Sequence, residues 1–285
     1  MAGRLLVVGT PIGNLGDLSP RAAAALSGAD LVVAEDTRMA ARLLAHLKAR
    51  VATVSFNEHN AARRLPELLA RLAAGERVAL TTDAGMPGVS DPGAALVAAA
   101  RAAGHAVEVV PGPSAVTAAV ALSGVDATGF LFGGFLPPRP AGARRAGLER
   151  LLAAAGAGEL LLVLYEAPHR IRQLLGELDR TAGDAEVAVC RELTKLHEEV
   201  LVGTPASVAE RLAEERGEFT VVIRPRGSPR PDADALDVAA LADAAAAQGL
   251  APRSIVELLR AAGVTRRRAY EVASAAADKR RLSPR

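Results

Sequence analysis

Aromatic residues are scarce in this chain: they make up 2% of 285 residues, as two tyrosines and five phenylalanines with no tryptophan. Packing therefore falls to alanine, leucine and valine within a hydrophobic fraction of 50%, and the composition argues against aromatic stacking platforms for nucleic acid. A single cysteine, Cys190, excludes an intrachain disulfide. No apolar run approaches the ~18 residues of a membrane span, and no charged segment followed by a long apolar one opens the chain. The expectation is a cytoplasmic protein with no membrane association. His46, His59, His105, His169 and His197 show no ligand spacing, so no metal is expected. Neither G-x-G-x-x-G nor G-x-x-x-x-G-K-[ST] occurs. The glycine loops therefore lack a phosphate-binding fingerprint, and Pro11 in the first of them removes an amide that a pyrophosphate would use.

Charge is present in both signs and is unevenly spread. The net charge is +2, yet residues 251–285 hold nine Lys/Arg against three Asp/Glu, a local +6 that leaves −4 for residues 1–250. An excess of that size points to a polyanionic partner or to a solvated basic helix.

Short apolar runs alternate with alanine-rich, helix-type runs about every 25 residues. Arg4–Val8, Ala29–Ala34, Val51–Ser55, Arg77–Leu80 and His105–Val110 read as strands of a largely parallel sheet. Each ends in a loop that is polar or rich in glycine and proline. These are Gly9–Asn14, Glu35–Arg38, Phe56–Asn60, Thr81–Gly93 and Pro111–Ala115. In an open α/β sheet such loops share one edge, where ligands bind. The richest is T-T-D-A-G-M-P-G-V-S-D-P-G at 81–93, whose Asp83 is read as facing a ligand and Asp91 as holding the turn.

From Phe130 to Arg145 the chain reads F-L-F-G-G-F-L-P-P-R-P-A-G-A-R-R, taken as entry into a second domain with a mobile basic loop. Leu160–Leu164, Ala185–Cys190, Glu198–Gly203 and Phe219–Ile223 are further strands, and Ile171–Leu178 and Pro205–Arg216 are helices. The fold class is α/β, with a mostly parallel N-terminal sheet. The expected domains are residues 1–118 and 119–226, followed by a linker at 227–234 and a helical segment at 235–285. In that last segment a helix–Gly263–helix pair, with Thr265 as N-cap, resembles a helix-turn-helix.

Several motifs together resemble one family, the ribosomal RNA small subunit methyltransferase I proteins of the tetrapyrrole methylase superfamily. They are G-T-P-I-G-N-L-G-D-L-S at 9–19, A-E-D-T-R at 34–38, D-A-G-M-P-G-V-S-D-P-G at 83–93 and V-P-G-P-S-A at 110–115. G-F-L-P at 134–137, Y-E-A-P-H-R at 165–170 and R-E-L-T-K at 191–195 follow in the same order. The resemblance runs from about residue 4 to 226. Met86, where threonine is common, and Ala167, where serine is common, depart from the pattern.

The resemblance implies two α/β domains with S-adenosylmethionine in the cleft between them, a homodimer, and 2'-O-methylation of a cytidine in the decoding region of 16S rRNA. It places cofactor contacts at Pro11, Asp83, Gly85, Met86, Ser114, Ala115, Tyr165, Glu166 and Ala167. A ribose hydroxyl must lose its proton to react, and Glu35, Asp36, Glu58, Glu166 and Lys195, at strand ends, are candidate bases. Lys195 would need a lowered pKa for that role. Arg38, Arg139, Arg144, Arg145, Arg170 and Lys195, with Arg266, Arg267 and Arg268 in the tail, are candidate contacts to the RNA of 16S rRNA or of the small ribosomal subunit. Two other readings are a methyltransferase of the same fold acting on a tetrapyrrole precursor, and a non-catalytic RNA-binding protein.

Overall fold

The structure is a computed structural model that describes residues 3–125, 127–225, 238–248, 250–261, 264 and 266–282. The chain divides at residue 226 into two compact units. In the first, five strands, β1 (Arg4–Val8), β2 (Leu31–Ala34), β3 (Ala52–Ser55), β4 (Arg77–Leu80) and β5 (Ala106–Val110), form a sheet in the order β3-β2-β4-β1-β5. Every pairing in it is parallel.

Alternation along each strand builds two cores. Leu5, Leu31, Val33, Val78 and Leu80 face one side, with Leu68 and Leu72 of α3 (Ala61–Ala73) and Leu96 of α4 (Gly93–Ala102). Leu6, Val8, Val32, Ala34 and Ala79 face the other, with Leu26 of α1 (Pro20–Ser27) and Leu44 of α2 (Thr37–His46). Strands buried on both faces read as continuous apolar runs, which is why these elements were legible. Because the strands are parallel, all five polar loops sit at one edge.

α5 (Ala115–Ser123) carries the chain across residues 118 and 119, the expected domain division, and packs on a second sheet through Val116 and Ala119. That sheet contains β6 (Phe130–Phe135), β7 (Leu161–Glu166), β8 (Glu186–Arg191), β9 (Glu199–Gly203) and β10 (Phe219–Arg224), in the order β6-β7-β10-β8-β9. Only β6 and β7 are parallel; the other pairings are antiparallel. α6 (Ala141–Ala157), α7 (Ile171–Ala182) and α8 (Pro205–Arg211) cover its opposite face.

The structure corrects the expected mobile basic loop at 130–145. Phe130–Phe135 is a strand, and Ala141 begins the 17-residue helix α6. The buried stripe of α6 is Arg144, Leu148, Leu152 and Ala155. A charged residue in a core stripe hides the helical period from a reading of hydrophobicity. α8 also ends at Arg211, short of the expected Arg216.

The second unit holds α9 (Val238–Ala247), α10 (Pro252–Ala261) and α11 (Arg266–Leu282), packed around Val238, Ala242, Ile255, Leu259, Ala269 and Ala273. The expected linker at 227–234, Gly263 and the Thr265 cap lie outside the described residues.

Candidate functional site

Two loops of the first sheet are joined by close backbone approach. Thr10 N–H donates to the Gly85 carbonyl at 2.9 Å and Gly85 N–H returns a bond to Thr10 at 3.2 Å. Gly9 lies so near Gly112 that a Cβ on either would come within 2.7 Å of the other's backbone. Gly85 adopts φ +83°, open to glycine at little cost. Asp91 holds the turn as expected, accepting from Gly88 N–H at 2.9 and 2.8 Å and from Gly93 N–H at 2.7 Å.

A cavity of about 460 Å³ opens between these loops and the strand ends of the second sheet, within the range of small-ligand sites. Asp83, Gly85, Met86, Ser114, Ala115, Tyr165, Glu166 and Ala167 all line it. Pro11 does not; its neighbour Ile12 takes the place, with a Cγ2 methyl against Gly85. A broader, open groove alongside is lined by Asp17, Ser114, Thr117 and Thr194.

The electrostatics of the cavity are one-sided. Glu35, Asp83, Glu166 and Glu218 contribute carboxylates to the wall, while no lysine or arginine lines it among the described residues. Partial burial raises the pKa of Glu35, and the charges of Asp83 and Asp91 add to the shift. Asp83 Oδ1 accepts from Asp36 N–H at 3.0 Å, which fixes its carboxylate at the end of β2.

The five candidate bases are sorted by this geometry: Glu35 and Glu166 line the cavity, but Glu166 is tied up in ion pairs with Arg144 and Arg170. Asp36 caps α2, accepting from Arg38 N–H at 2.8 Å, and pairs with the Arg38 guanidinium at 2.6 Å. Hydrogen bonds from Arg38 hold its pKa at about 2. Glu58 is exposed and stands outside the wall. Lys195 lacks the lowered pKa that a base would need. Burial pulls it down, but a 2.8 Å hydrogen bond to Glu192 and the charge of Glu218 at 3.3 Å outweigh burial and raise it.

Residues 4–209 match the family described as Tetrapyrrole (Corrin/Porphyrin) Methylases. The chain is 41% identical over 223 residues to Ribosomal RNA small subunit methyltransferase I of Thermotoga maritima, covering 78% of this chain and 98% of the relative. Against the protein of the same name from Xylella fastidiosa (strain Temecula1 / ATCC 700964) it is 44% identical over 227 residues, covering 78% and 81%. This chain belongs to the ribosomal RNA small subunit methyltransferase I family. Solved structures agree on the fold. The methyltransferase CobJ matches with a TM-score of 0.59 at 22% identity, covering 79% of this chain and 95% of that one. Uroporphyrin III C-methyl transferase from Thermus thermophilus matches at 0.54 and 22%, covering 79% and 97%.

A methyltransferase of this family implies S-adenosylmethionine as methyl donor, and the cavity fits that group. A wall with carboxylates and no cationic side chain suits a sulfonium and disfavours phosphate. The apolar surfaces of Ile12, Met86 and Tyr165 suit the nucleoside part.

The arginines expected to contact RNA divide sharply. Arg144 is a correction: it is fully buried, with Nη2 2.5 Å from Glu166 Oε2 and Nε 2.9 Å from Glu177 Oε2, so no external phosphate reaches it. Arg170 sits mostly buried with Nε 2.9 Å from Glu166 Oε1, lacking hydrogen-bond alignment. Arg38, Arg139 and Arg145 are exposed, Arg38 paired with Asp36 and Arg145 with Glu149 at 2.8 Å. In the second unit Arg267 and Arg268 are exposed, and the side chain of Arg266 lies outside the described residues.

Phe135, Leu193, Glu218 and Phe219 also line the cavity and were missed in the sequence. The aromatic density of F-L-F-G-G-F in so aromatic-poor a chain was the available signal for Phe135.

Proposed function

We propose that this methyltransferase uses S-adenosylmethionine to methylate the ribose 2'-hydroxyl of a cytidine in the decoding region of 16S rRNA, working in the cytoplasm as a homodimer. Family membership and the relatives' name support the RNA substrate. The observation that carries the reading of the site is the cavity wall, which combines the loop carboxylates with no cationic side chain.

Bound S-adenosylmethionine supplies an electrophilic methyl carbon on a sulfonium. Asp83, held by the Asp36 N–H, binds polar groups of the donor. Met86 sets its soft thioether beside Gly9, and Ser114 and Ala115 close the wall from the loop after β5. Held by Asp83, Met86, Ser114 and Ala115, the donor would give its methyl carbon to the acceptor oxygen and keep the electron pair of the carbon–sulfur bond. Glu35 takes the hydroxyl proton: its raised pKa makes it a stronger base than an ordinary carboxylate, whereas Glu166, the other candidate on the cavity wall, is held by Arg144 and Arg170. Lys195, held protonated, pairs with Glu218 of the cavity wall and with Glu192. Phosphates stay outside the acid-lined wall and meet Arg38, Arg139 and Arg145. The three arginines at 266–268 engage RNA from the tail.

Mass spectrometry of 16S rRNA from a strain lacking the gene tests this reading. One 2'-O-methyl group on a decoding-region cytidine is expected to vanish and to return with the gene. Full methylation of every decoding-region ribose in that strain would overturn it. Sedimentation of the purified protein as a monomer would overturn the dimer.

A further inference from the structure

The aromatic residues are few but not scattered. Phe135, Tyr165 and Phe219 line the cavity, and Phe132 packs edge-on against Tyr165 with ring centroids 5.0 Å apart. Four of the chain's seven aromatics thus gather at one place in a protein whose composition argued against stacking platforms.

The gathering depends on a β-bulge. Phe132 pairs with Val163, Gly134 with Leu164 and Phe135 with Tyr165, so Gly133 is an extra residue in β6. In a regular strand, residues 132 and 135 would face opposite sides of the sheet, because side chains alternate. One inserted residue restores them to the same side, and both rings meet Tyr165, that of Phe135 at 5.4 Å with a 53° tilt. Both positions favour glycine. A Cβ on Gly133 would come within 2.7 Å of Leu164 Cδ2 and 2.9 Å of Leu151 Cδ1, and Gly134 adopts φ +63°.

The bulge leaves Phe135 53% exposed while it lines the cavity, whereas Phe219 is 3% exposed. A half-bare ring in a cavity whose wall carries carboxylates and no cation suits the uncharged part of a nucleotide, since phosphates are repelled. We propose that Phe135, aimed into the cavity by the Gly133–Gly134 bulge, is the platform on which the base of the acceptor nucleotide stacks, so that its ribose is presented for methylation. This rests on the reading of the substrate as RNA, in which unstacked bases are held on aromatic rings.

Steady-state methylation of small ribosomal subunits from a strain lacking the gene tests the proposal, with S-adenosylmethionine binding followed by calorimetry. Phe135→Leu is expected to raise KM for the subunits about tenfold, within the range for loss of one base–aromatic stack, and to leave the cofactor's Kd unchanged. Phe135→Trp is expected to rescue KM to within about threefold of the native value, because any flat ring can stack. That variant also carries the chain's only tryptophan, whose fluorescence should be quenched by the subunits and not by S-adenosylmethionine. A Phe135→Leu enzyme with unchanged KM for subunits, or tryptophan quenching by the cofactor alone, would overturn the inference while leaving the rRNA reading intact. A native protein inactive on these subunits would sink both.

Discussion

The two sheets of the first unit serve the cavity in different ways. The all-parallel sheet ends every strand at the same edge, so Ile12, Glu35, Asp83, Met86 and Ser114 arrive from four separate loops as a set of adjustable polar and soft contacts. The mixed sheet supplies a stiff wall. Behind the end of β7, Glu166 is held by Arg144, by Arg170 and by the Ala167 N–H at 2.8 Å. Gln173 and Arg144 in turn hold Glu177. Loops on a parallel edge can diversify in chemistry without disturbing the core, whereas a wall built on buried charge tolerates little.

That contrast makes predictions. The largest effect is on chemistry at the parallel edge: Glu35→Gln is expected to lower kcat by about 10²–10⁴-fold, the usual contribution of a positioned base, with cofactor affinity nearly unchanged; single-turnover methylation checks it. On the mixed sheet, Arg144→Ala takes the shared buried cation from Glu166 and Glu177 and is expected to cost about 3–5 kcal/mol in urea unfolding. A loss below about 1 kcal/mol, typical of exposed pairs such as Arg145–Glu149, would erase the distinction between the sheets. Asp83→Ala should weaken S-adenosylmethionine binding by about 1.5–3 kcal/mol, the scale of a charge-assisted hydrogen bond; calorimetry showing native affinity would remove Asp83 from the site. Gly133→Ala forces Leu164 and Leu151 to move and should cost about 1–3 kcal/mol by overpacking, again read by urea unfolding.

The smallest effect concerns the pH dependence of stability. Glu35 has a folded pKa above its ordinary value of 4.5. It therefore costs the fold nothing at pH well below 4.5, and destabilises it increasingly as pH rises past that value. Glu35→Gln should raise Tm at neutral pH by under about 2 °C, since the group is largely solvent-screened, and the gain should disappear in acid. A gain that persisted at low pH would show that another cause is at work.

Much of this architecture was legible in the sequence. Continuous apolar runs such as Leu31–Ala34 announce strands buried on both faces, and Gly85 and Asp91 mark a turn because their conformations are local properties. The loops at the ends of these runs could be assigned to one edge before any contact was known. The residues named for the cofactor, Pro11 apart, were legible as neighbours around one cavity. Their division of labour was not. Asp36 and Asp83 look alike in sequence, and a hydrogen bond across 47 residues distinguishes them.

Arg144 and Phe135 show where local pattern stops. Arg144 reads as one more cation in a basic stretch until β7 and α7 close on α6, bringing Glu166 and Glu177 from 22 and 33 residues away. Phe135 reads as part of a mobile basic loop until β6 forms and its bulge opposite Leu164 turns the ring to the face of Tyr165. Period, turn chemistry and strand burial are set by neighbours along the chain, so composition and spacing determined the α/β class and the edge at which ligands gather. Which carboxylate faces the cavity, which arginine is buried and where the aromatic rings point depend on distant partners and their desolvation, and those exist only once the chain has packed.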